Sequence, residues 1–149
     1  MRWLRVVMAV VVVSVVVGGG TAVAGREDLF SYRRGVVEGR ELGVEWRDGV
    51  VVRDITYAGR GGVAVRAYLV EPEGRGRYAG ALYLHWFEPG DPTQNRTEFL
   101  EEAVGMARRG MVALLPDLTF PWQIDPVGDR NDRERVVEQV IQLRRGWVC

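Results

Sequence analysis

Two nearly uncharged apolar runs constrain the fold of this 149-residue chain more than any other feature of its sequence. Residues 79–87 read AGALYLHWF, interrupted only by His85, and residues 111–115 read MVALL. Continuous apolar runs of this kind are typical of strands that are covered on both faces, as in a parallel sheet. We therefore predict two buried strands that belong to one sheet.

A helix is predicted between the two runs. Asn95 and Glu98 have the spacing of an N-terminal capping box, in which each side chain bonds the other's backbone N–H. Gly110 is a typical helix terminator. The apolar face of this predicted helix consists of Phe99, Ala103, Met106 and Ala107.

A second helix with the same signature is predicted after the second run. Asn131 and Glu134 repeat the capping spacing, and Gly146 is the predicted end. The predicted apolar face consists of Val136, Val140 and Leu143. An alternation of buried strand, helix, buried strand and helix implies an α/β fold with crossover helices and parallel strands.

An antiparallel hairpin is predicted to precede the parallel strands. Residues 50–57 and 63–70 are rich in β-branched and aromatic residues, and the Gly-Arg-Gly-Gly segment at 59–62 separates them as a turn. Residues 25–48 are charged and glycine-dotted, so we predict an extended N-terminal arm with a short helix. Residues 49–149 then form one domain.

The first 24 residues are predicted to be a signal peptide. Arg2 and Arg5 precede an uncharged apolar run at residues 6–17, and Ala22-Val23-Ala24 is the small-residue pattern that signal peptidase reads. We predict export with cleavage after Ala24. The alternative is an uncleaved membrane anchor, because residues 6–25 carry no charge over about the 20 residues that a bilayer requires.

Composition excludes several classes of function. Twenty arginines balance 20 acidic residues, whereas a nucleic-acid binder needs a basic surplus. The single cysteine, Cys149, excludes a disulfide framework and a cysteine-based zinc site. One histidine and two serines, Ser14 and Ser31, leave little material for a Ser-His-Asp triad.

The hairpin, the segment GALYLHWFEPGDPTQNRTEFLEEA and the segment ARRGMVALLPDL together resemble the N-terminal half of an α/β-hydrolase. The resemblance runs over residues 50–145 and is to the dienelactone hydrolase and esterase-like group. It implies a partial α/β-hydrolase sheet, hydrolysis of an ester or related acyl bond in a small-molecule substrate, and no cofactor. It also implies that backbone N–H groups of Trp86 and Phe87 are oxyanion-hole candidates, and that His85 is a structural residue beside them.

The family's catalytic residues have no counterparts in this sequence. The nucleophile elbow G-x-S-x-G is absent, and Ser31 lies between Phe30 and Tyr32 without strand-turn-helix context. We therefore predict no catalytic residue and interpret the chain as a truncated N-terminal portion of an exported hydrolase, inactive by itself.

Three alternatives remain open at this point. A non-catalytic relative would bind a partner or ligand through an exposed sheet edge, and such an edge also predicts self-association. A small metal-assisted enzyme would use His85, Glu88 and Asp91, although loop triplets are weak signals and we predict no metal. A thiol-imidazole pair of Cys149 with His85 is disfavoured, because a terminal cysteine is poorly positioned.

Overall fold

The computed structural model describes residues 30–31, 39–86, 94–118 and 127–147, which form a mixed sheet with a helix on each face. The strands are β1 (Gly39–Arg47), β2 (Val50–Ala58), β3 (Ala64–Pro72), β4 (Ala79–Leu82) and β5 (Met111–Pro116), and the helices are α1 (Leu100–Ala107) and α2 (Arg130–Gly146). The predicted signal peptide lies outside the described residues and stays a prediction. Within the described ranges, neither helix has the length and apolar character needed to cross a membrane.

The sheet has the strand order β1-β2-β3-β5-β4. Strands β2 and β3 form an antiparallel hairpin through the 3-10 turn Arg60–Gly62, as the glycine-rich segment predicts. Strand β5 pairs antiparallel with β3 and parallel with β4, in the register Ala79↔Met111 to Leu82↔Leu114. The predicted hairpin and the predicted parallel pair are both confirmed, and β3 and β5 join them into one sheet.

Strand β1 was not predicted, because the charged segment before Val50 has no clear alternation. It pairs antiparallel with β2, with a bulge between Glu41 and Gly43. Its turn contains Asp48 at φ 44° and Gly49 at φ 81°, and Asp-Gly is a strong two-residue hairpin signal. That dipeptide was the signal that could have found β1 in a segment we interpreted as an arm.

The prediction that residues 79–87 form a fully buried strand is wrong for β4. The strand is four residues long and half-buried, and beyond it Leu84 and Trp86 are 41% and 59% exposed. Strand β4 has a partner on only one side among the described residues, so its apolar sequence lies at a sheet edge. The same prediction is right for β5, which is buried from Val112 to Pro116.

Helix α1 begins later than predicted. Asn95 caps a turn instead of the helix, since its Oδ1 accepts a hydrogen bond from the Thr97 N–H (2.8 Å) while α1 starts at Leu100. The predicted stop is confirmed, because Gly110 has φ 88° and its N–H donates to the Ala107 carbonyl (2.9 Å). Ala103 and Ala107 are buried against the sheet, as predicted.

Helix α2 is capped by a different residue from the one predicted. Asp129 accepts a hydrogen bond from the Asp132 N–H (2.8 Å), so the helix begins at Arg130 and not after Asn131. The buried face is correspondingly rotated. Val137 and Ile141 are buried while Val136 is 45% exposed, so the predicted apolar face was wrong at Val136. Val140 and Leu143 are half-buried, and the predicted end at Gly146 is confirmed.

The core consists of two layers, one on each face of the sheet. The layer under α1 contains Val50, Val52, Val70, Ala103, Val104, Ala107, Ala113 and Leu115. The opposite layer contains Ile55, Tyr57, Val65, Ala67 and Leu114. Since side chains alternate along a strand, Leu114 and Leu115 of β5 serve opposite layers.

The approach of α2 to the sheet depends on Gly146. A β-carbon at Gly146 would lie 2.7 Å from Cζ of Tyr57 and 2.9 Å from Cδ2 of Leu114, both of which are buried. We expect Gly146→Ala to destabilise the fold by about 1–3 kcal/mol, because neither neighbour can yield without overpacking. The measurement is the free energy of unfolding in urea.

Gly105→Ala is the matched control, since Gly105 lies inside α1 and a β-carbon there meets nothing within 4 Å. The free energy of unfolding of that variant should rise by up to about 1 kcal/mol, because alanine has a higher helix propensity than glycine. A neutral Gly146→Ala variant would contradict the close packing of α2.

Candidate functional site

The side of the sheet at which β4 and β5 end is here called the carboxyl edge and consists of residues 83–86 and 116–118. The Tyr83 N–H donates to the Leu114 carbonyl (3.0 Å), which extends the parallel pairing one residue beyond β4. The Asp117 N–H donates to the Arg66 carbonyl (2.7 Å) and extends β5 along β3. Ligand sites in open α/β sheets lie outside the carboxyl ends of the strands, which makes this edge the candidate site.

His85 connects the two strand ends. It is 5% exposed, its Nδ1 lies 2.9 Å from the Trp86 carbonyl oxygen, and its Nε2 lies 2.9 Å from the Leu118 backbone nitrogen. A carbonyl only accepts and a backbone N–H only donates, so Nδ1 carries the proton and Nε2 accepts. The imidazole is therefore neutral and has one assigned tautomer in this arrangement.

Of the two oxyanion-hole candidates, Trp86 is among the described residues and Phe87 is not. Trp86 lies at the carboxyl edge, where its ring packs edge-on against Phe99 at a centroid distance of 5.7 Å. Phe99 in turn contacts Tyr83 at 6.2 Å, so three rings cover the start of α1. Phe87 lies outside the described residues, and its predicted role stays a prediction.

The metal-binding alternative joins His85 to two residues, Glu88 and Asp91, that lie outside the described ranges. Within the described ranges no group of three histidine, cysteine or acidic side chains is arranged to hold a metal ion. The Nε2 lone pair of His85 is occupied by the Leu118 N–H, and a metal would have to displace that bond. Ser31 is exposed, and Cys149 lies outside the described residues.

A buried arginine clamps the segment before α1 onto the hairpin. Arg96 is 8% exposed and makes a bidentate pair with Asp54 of β2, with Nη1–Oδ1 at 2.6 Å and Nη2–Oδ2 at 3.0 Å. Its guanidinium also lies 4.1 Å from the ring centroid of Tyr68 on β3. Asp54 and Tyr68 are cross-strand partners, so one side chain fastens to both strands of the hairpin.

The charges of this clamp stabilise each other. Hydrogen bonds from Arg96 lower the pKa of Asp54 below its ordinary value, against partial desolvation, and a hydrogen bond from Arg66 acts in the same direction. Burial is the largest influence on Arg96 and by itself would lower its pKa. The hydrogen bonds to Asp54, together with electrostatic attraction to Tyr68, Asp54 and Asp117, outweigh burial, so the pKa of Arg96 is raised. Both groups remain charged at neutral pH.

Sequence reasoning missed this clamp. Arg96 and Asp54 are 42 residues apart, and neither lies in a motif that predicts pairing. Arg96 instead falls next to Asn95, which we interpreted as a helix cap. A single sequence carries no signal for a contact of this kind, because only the folded sheet brings the two residues together.

Comparisons with known proteins give partial structural likenesses. No protein-family model and no curated protein matches the chain. Among solved structures, an acetyl xylan esterase from Paenibacillus sp. R4 is similar over 62% of this chain at 18% identity, with a TM-score of 0.43. Acetyl Xylan Esterase 1 from Thermoanaerobacterium sp. JW/SL YS485 is similar over 69% at 12% identity, with a TM-score of 0.45. This chain covers 28% and 36% of those two proteins.

The clamp predicts a specific dependence of stability on pH. Because the folded pKa of Asp54 is lowered, its contribution is fully present above the ordinary carboxyl pKa of about 3.9 and is lost as the pH falls through the folded value. We expect Asp54→Asn to be destabilised relative to the wild type at pH 7, with the difference shrinking below about pH 4. Urea unfolding at several pH values measures this difference.

Asp48→Asn is the control, because the Asp48 side chain is 93% exposed and its loss should change stability by less than about 0.5 kcal/mol at every pH. Arg96→Ala should lower the free energy of unfolding by about 1–3 kcal/mol, since Asp54 loses its buried partner and keeps only the exposed Arg66. A difference between wild type and Asp54→Asn that does not vary with pH would refute the assignment.

Proposed function

We propose that this chain forms the N-terminal part of the sheet of an exported α/β-hydrolase that acts on ester or related acyl bonds of small molecules. In this proposal the carboxyl edge contributes to binding of the oxyanion, and the nucleophile comes from sequence outside residues 1–149. The observation that carries the proposal is the order of the strands. The hairpin β2–β3 stands beside β5, and β5 stands between the hairpin and β4.

That order matches the family which the sequence resembles. In the family the third strand pairs with the fourth on one side, and β4 and β5 have this relation in parallel register. Helices α1 and α2 follow β4 and β5 and pack on opposite faces, as crossover helices of an α/β sheet do. Strand β1 is an addition at the far edge.

The chemistry proposed for the carboxyl edge is electrostatic. An acyl-transfer intermediate places negative charge on its carbonyl oxygen, and a fixed backbone N–H aimed at that oxygen stabilises it by about 3 kcal/mol. Trp86 is suited to this role because two contacts fix its position. Its carbonyl accepts a hydrogen bond from His85 Nδ1, and its ring packs against Phe99. Phe87 is the other candidate donor.

Turnover requires groups that this sequence does not contain. The G-x-S-x-G elbow is absent from the 149 residues, and the proposal assigns no catalytic residue, metal or cofactor to them. Export, with cleavage after Ala24, is part of the proposal and is supported by the pattern of residues 1–24.

A serine-reactive phosphonate probe and a chromogenic acetate ester test the proposal. We expect the chain to show neither labelling nor turnover. We expect a longer open reading frame, extended past the Cys149 codon into a strand and a G-x-S-x-G segment, to show both, and exchange of the elbow serine for alanine to abolish both. Labelling of Ser31 in the 149-residue chain, lost in Ser31→Ala, would overturn the assignment.

A second candidate function is partner binding through the side of β4 that no described strand covers. Because the Tyr83 N–H points to β5, the backbone N–H groups of Gly80 and Leu82 point away from it, and no described strand meets them. Residues 79–84 carry no charge, whereas β1 at the opposite edge has a bulge and several charged residues. Bulges and charges protect sheet edges from pairing, and β4 has neither.

We propose that a second copy of this chain pairs with that edge when no other strand covers it. Sedimentation velocity should show a mass that rises with concentration, and Leu84→Lys should return it to the monomer, because a charge on the edge opposes pairing. Leu42→Lys is the control, since Leu42 is 47% exposed on β1. A wild-type chain that stays monomeric at all concentrations would exclude pairing between copies of this chain.

A further inference from the structure

His85 holds the carboxyl edge together through both of its ring nitrogens. Nδ1 donates to the Trp86 carbonyl at the end of β4, and Nε2 accepts from the Leu118 N–H at the end of β5, each at 2.9 Å. His85 and Leu118 are both buried, at 5% and 8% exposure. The two strand ends are therefore joined by a side chain that can change its charge.

Uptake of a proton at Nε2 is incompatible with one of these two bonds. The lone pair that accepts the Leu118 N–H would be lost, and two N–H donors would face each other. The Nδ1 proton is present in both states, so the bond to the Trp86 carbonyl can persist. Protonation thus acts selectively on the β5 side of the edge.

An alternative acceptor is already close to the histidine. Oδ1 of Asp117 lies 3.9 Å from Nε2, and the Asp117 side chain is 41% exposed. A movement of about 1 Å would bring this carboxylate to the distance of a charge-assisted hydrogen bond. Leu118 directly follows Asp117, so such a movement shifts the amide that His85 has released.

We propose that His85 is a proton-controlled tie, which closes the carboxyl edge when neutral and exchanges the Leu118 amide for the Asp117 carboxylate when protonated. The neutral imidazole then favours the closed edge, and the protonated imidazole favours an edge that is loosened at Leu118. The proposal adds regulation to the same site and takes from the proposed function the idea that this edge serves an oxyanion.

Among the described residues, the polar and charged groups around the tie come from three elements. Asp117 faces Nε2 from the end of β5, and the uncharged Trp86 carbonyl faces Nδ1 from the end of β4. Arg96, in the segment before α1, interacts with the charge of Asp117. Because Arg96 is already paired with Asp54, Asp117 retains its capacity to accept a hydrogen bond from a protonated imidazole.

The chain is suited to a direct test because His85 is its only histidine. Nitrogen-15 NMR of the full chain reads the imidazole tautomer, and amide hydrogen exchange reads the Leu118 bond. At pH 7.5 we expect the Nδ1–H tautomer and a protected Leu118 amide. When the pH is lowered from 7.5 to 5, we expect protection of Leu118 to fall about tenfold after correction for intrinsic exchange, because the amide loses its hydrogen bond.

Two isosteric variants separate the two nitrogens. His85→Gln can place an acceptor near the Nε2 position but does not titrate, so Leu118 should stay protected and independent of pH over this range. His85→Asn can keep a donor near the Nδ1 position but offers no acceptor to Leu118, so exchange of that amide should be fast at every pH. Asp117→Asn removes the competing carboxylate and should reduce the fall in Leu118 protection at low pH.

The wild-type measurements decide the matter even if a variant fails to fold. An Nε2–H tautomer at pH 7.5, or a Leu118 amide whose protection does not change as the imidazole titrates, would refute the tie. None of these readouts needs turnover, so a failed hydrolase assay leaves the tie intact. Conversely, a refuted tie leaves the strand order and the proposed ester chemistry as they stand.

Discussion

Strand β5 is the element on which the rest of the described structure depends. It is the strand through which the antiparallel hairpin and the parallel strand β4 belong to one sheet. Leu114 and Leu115 enter the two opposite core layers, and both are almost fully buried. Complete burial of a leucine side chain contributes about 1.5–3 kcal/mol, so β5 stabilises both layers at once.

The end of strand β5 also positions the residues of the carboxyl edge. Where β5 ends, Asp117 continues the ladder toward Arg66 and Leu118 meets His85, so the loop after β4 is fastened to the sheet at the same place. A second attachment comes from Arg96, which fastens the segment before α1 to Asp54. The two attachments flank the residues between β4 and α1 on which the proposed oxyanion role depends.

Much of the fold could be predicted because its signals are local. The hairpin, the parallel pair and the helix ends at Gly110 and Gly146 follow from β-rich runs and from glycine's tolerance of positive φ or close packing. Helix starts were harder to place, since several polar residues near each start can act as caps. At α2 the capping spacing favours Asn131 as the N-cap, whereas in the structure Asp129 accepts the capping hydrogen bond from the Asp132 N–H.

The candidate site was predicted only in part. His85 and Trp86 stood out because a histidine interrupts an apolar run, but one bond partner of His85, the Leu118 N–H, lies 33 residues further along the chain. The Arg96–Asp54 clamp was not found at all. Long-range polar contacts have no periodicity, and the energetic reason for them, burial of charge, exists only once the sheet has formed.

The sequence by itself determined the class of architecture, because hydrophobic periodicity and turn residues act over short stretches of chain. It also determined what this chain lacks, since a nucleophile elbow must be written in consecutive residues. Only the tertiary structure decided that the apolar run 79–87 begins with a half-buried strand that, among the described residues, is paired on one side only. Burial depends on which residues pack against a strand in space, and a short stretch of sequence does not contain that information.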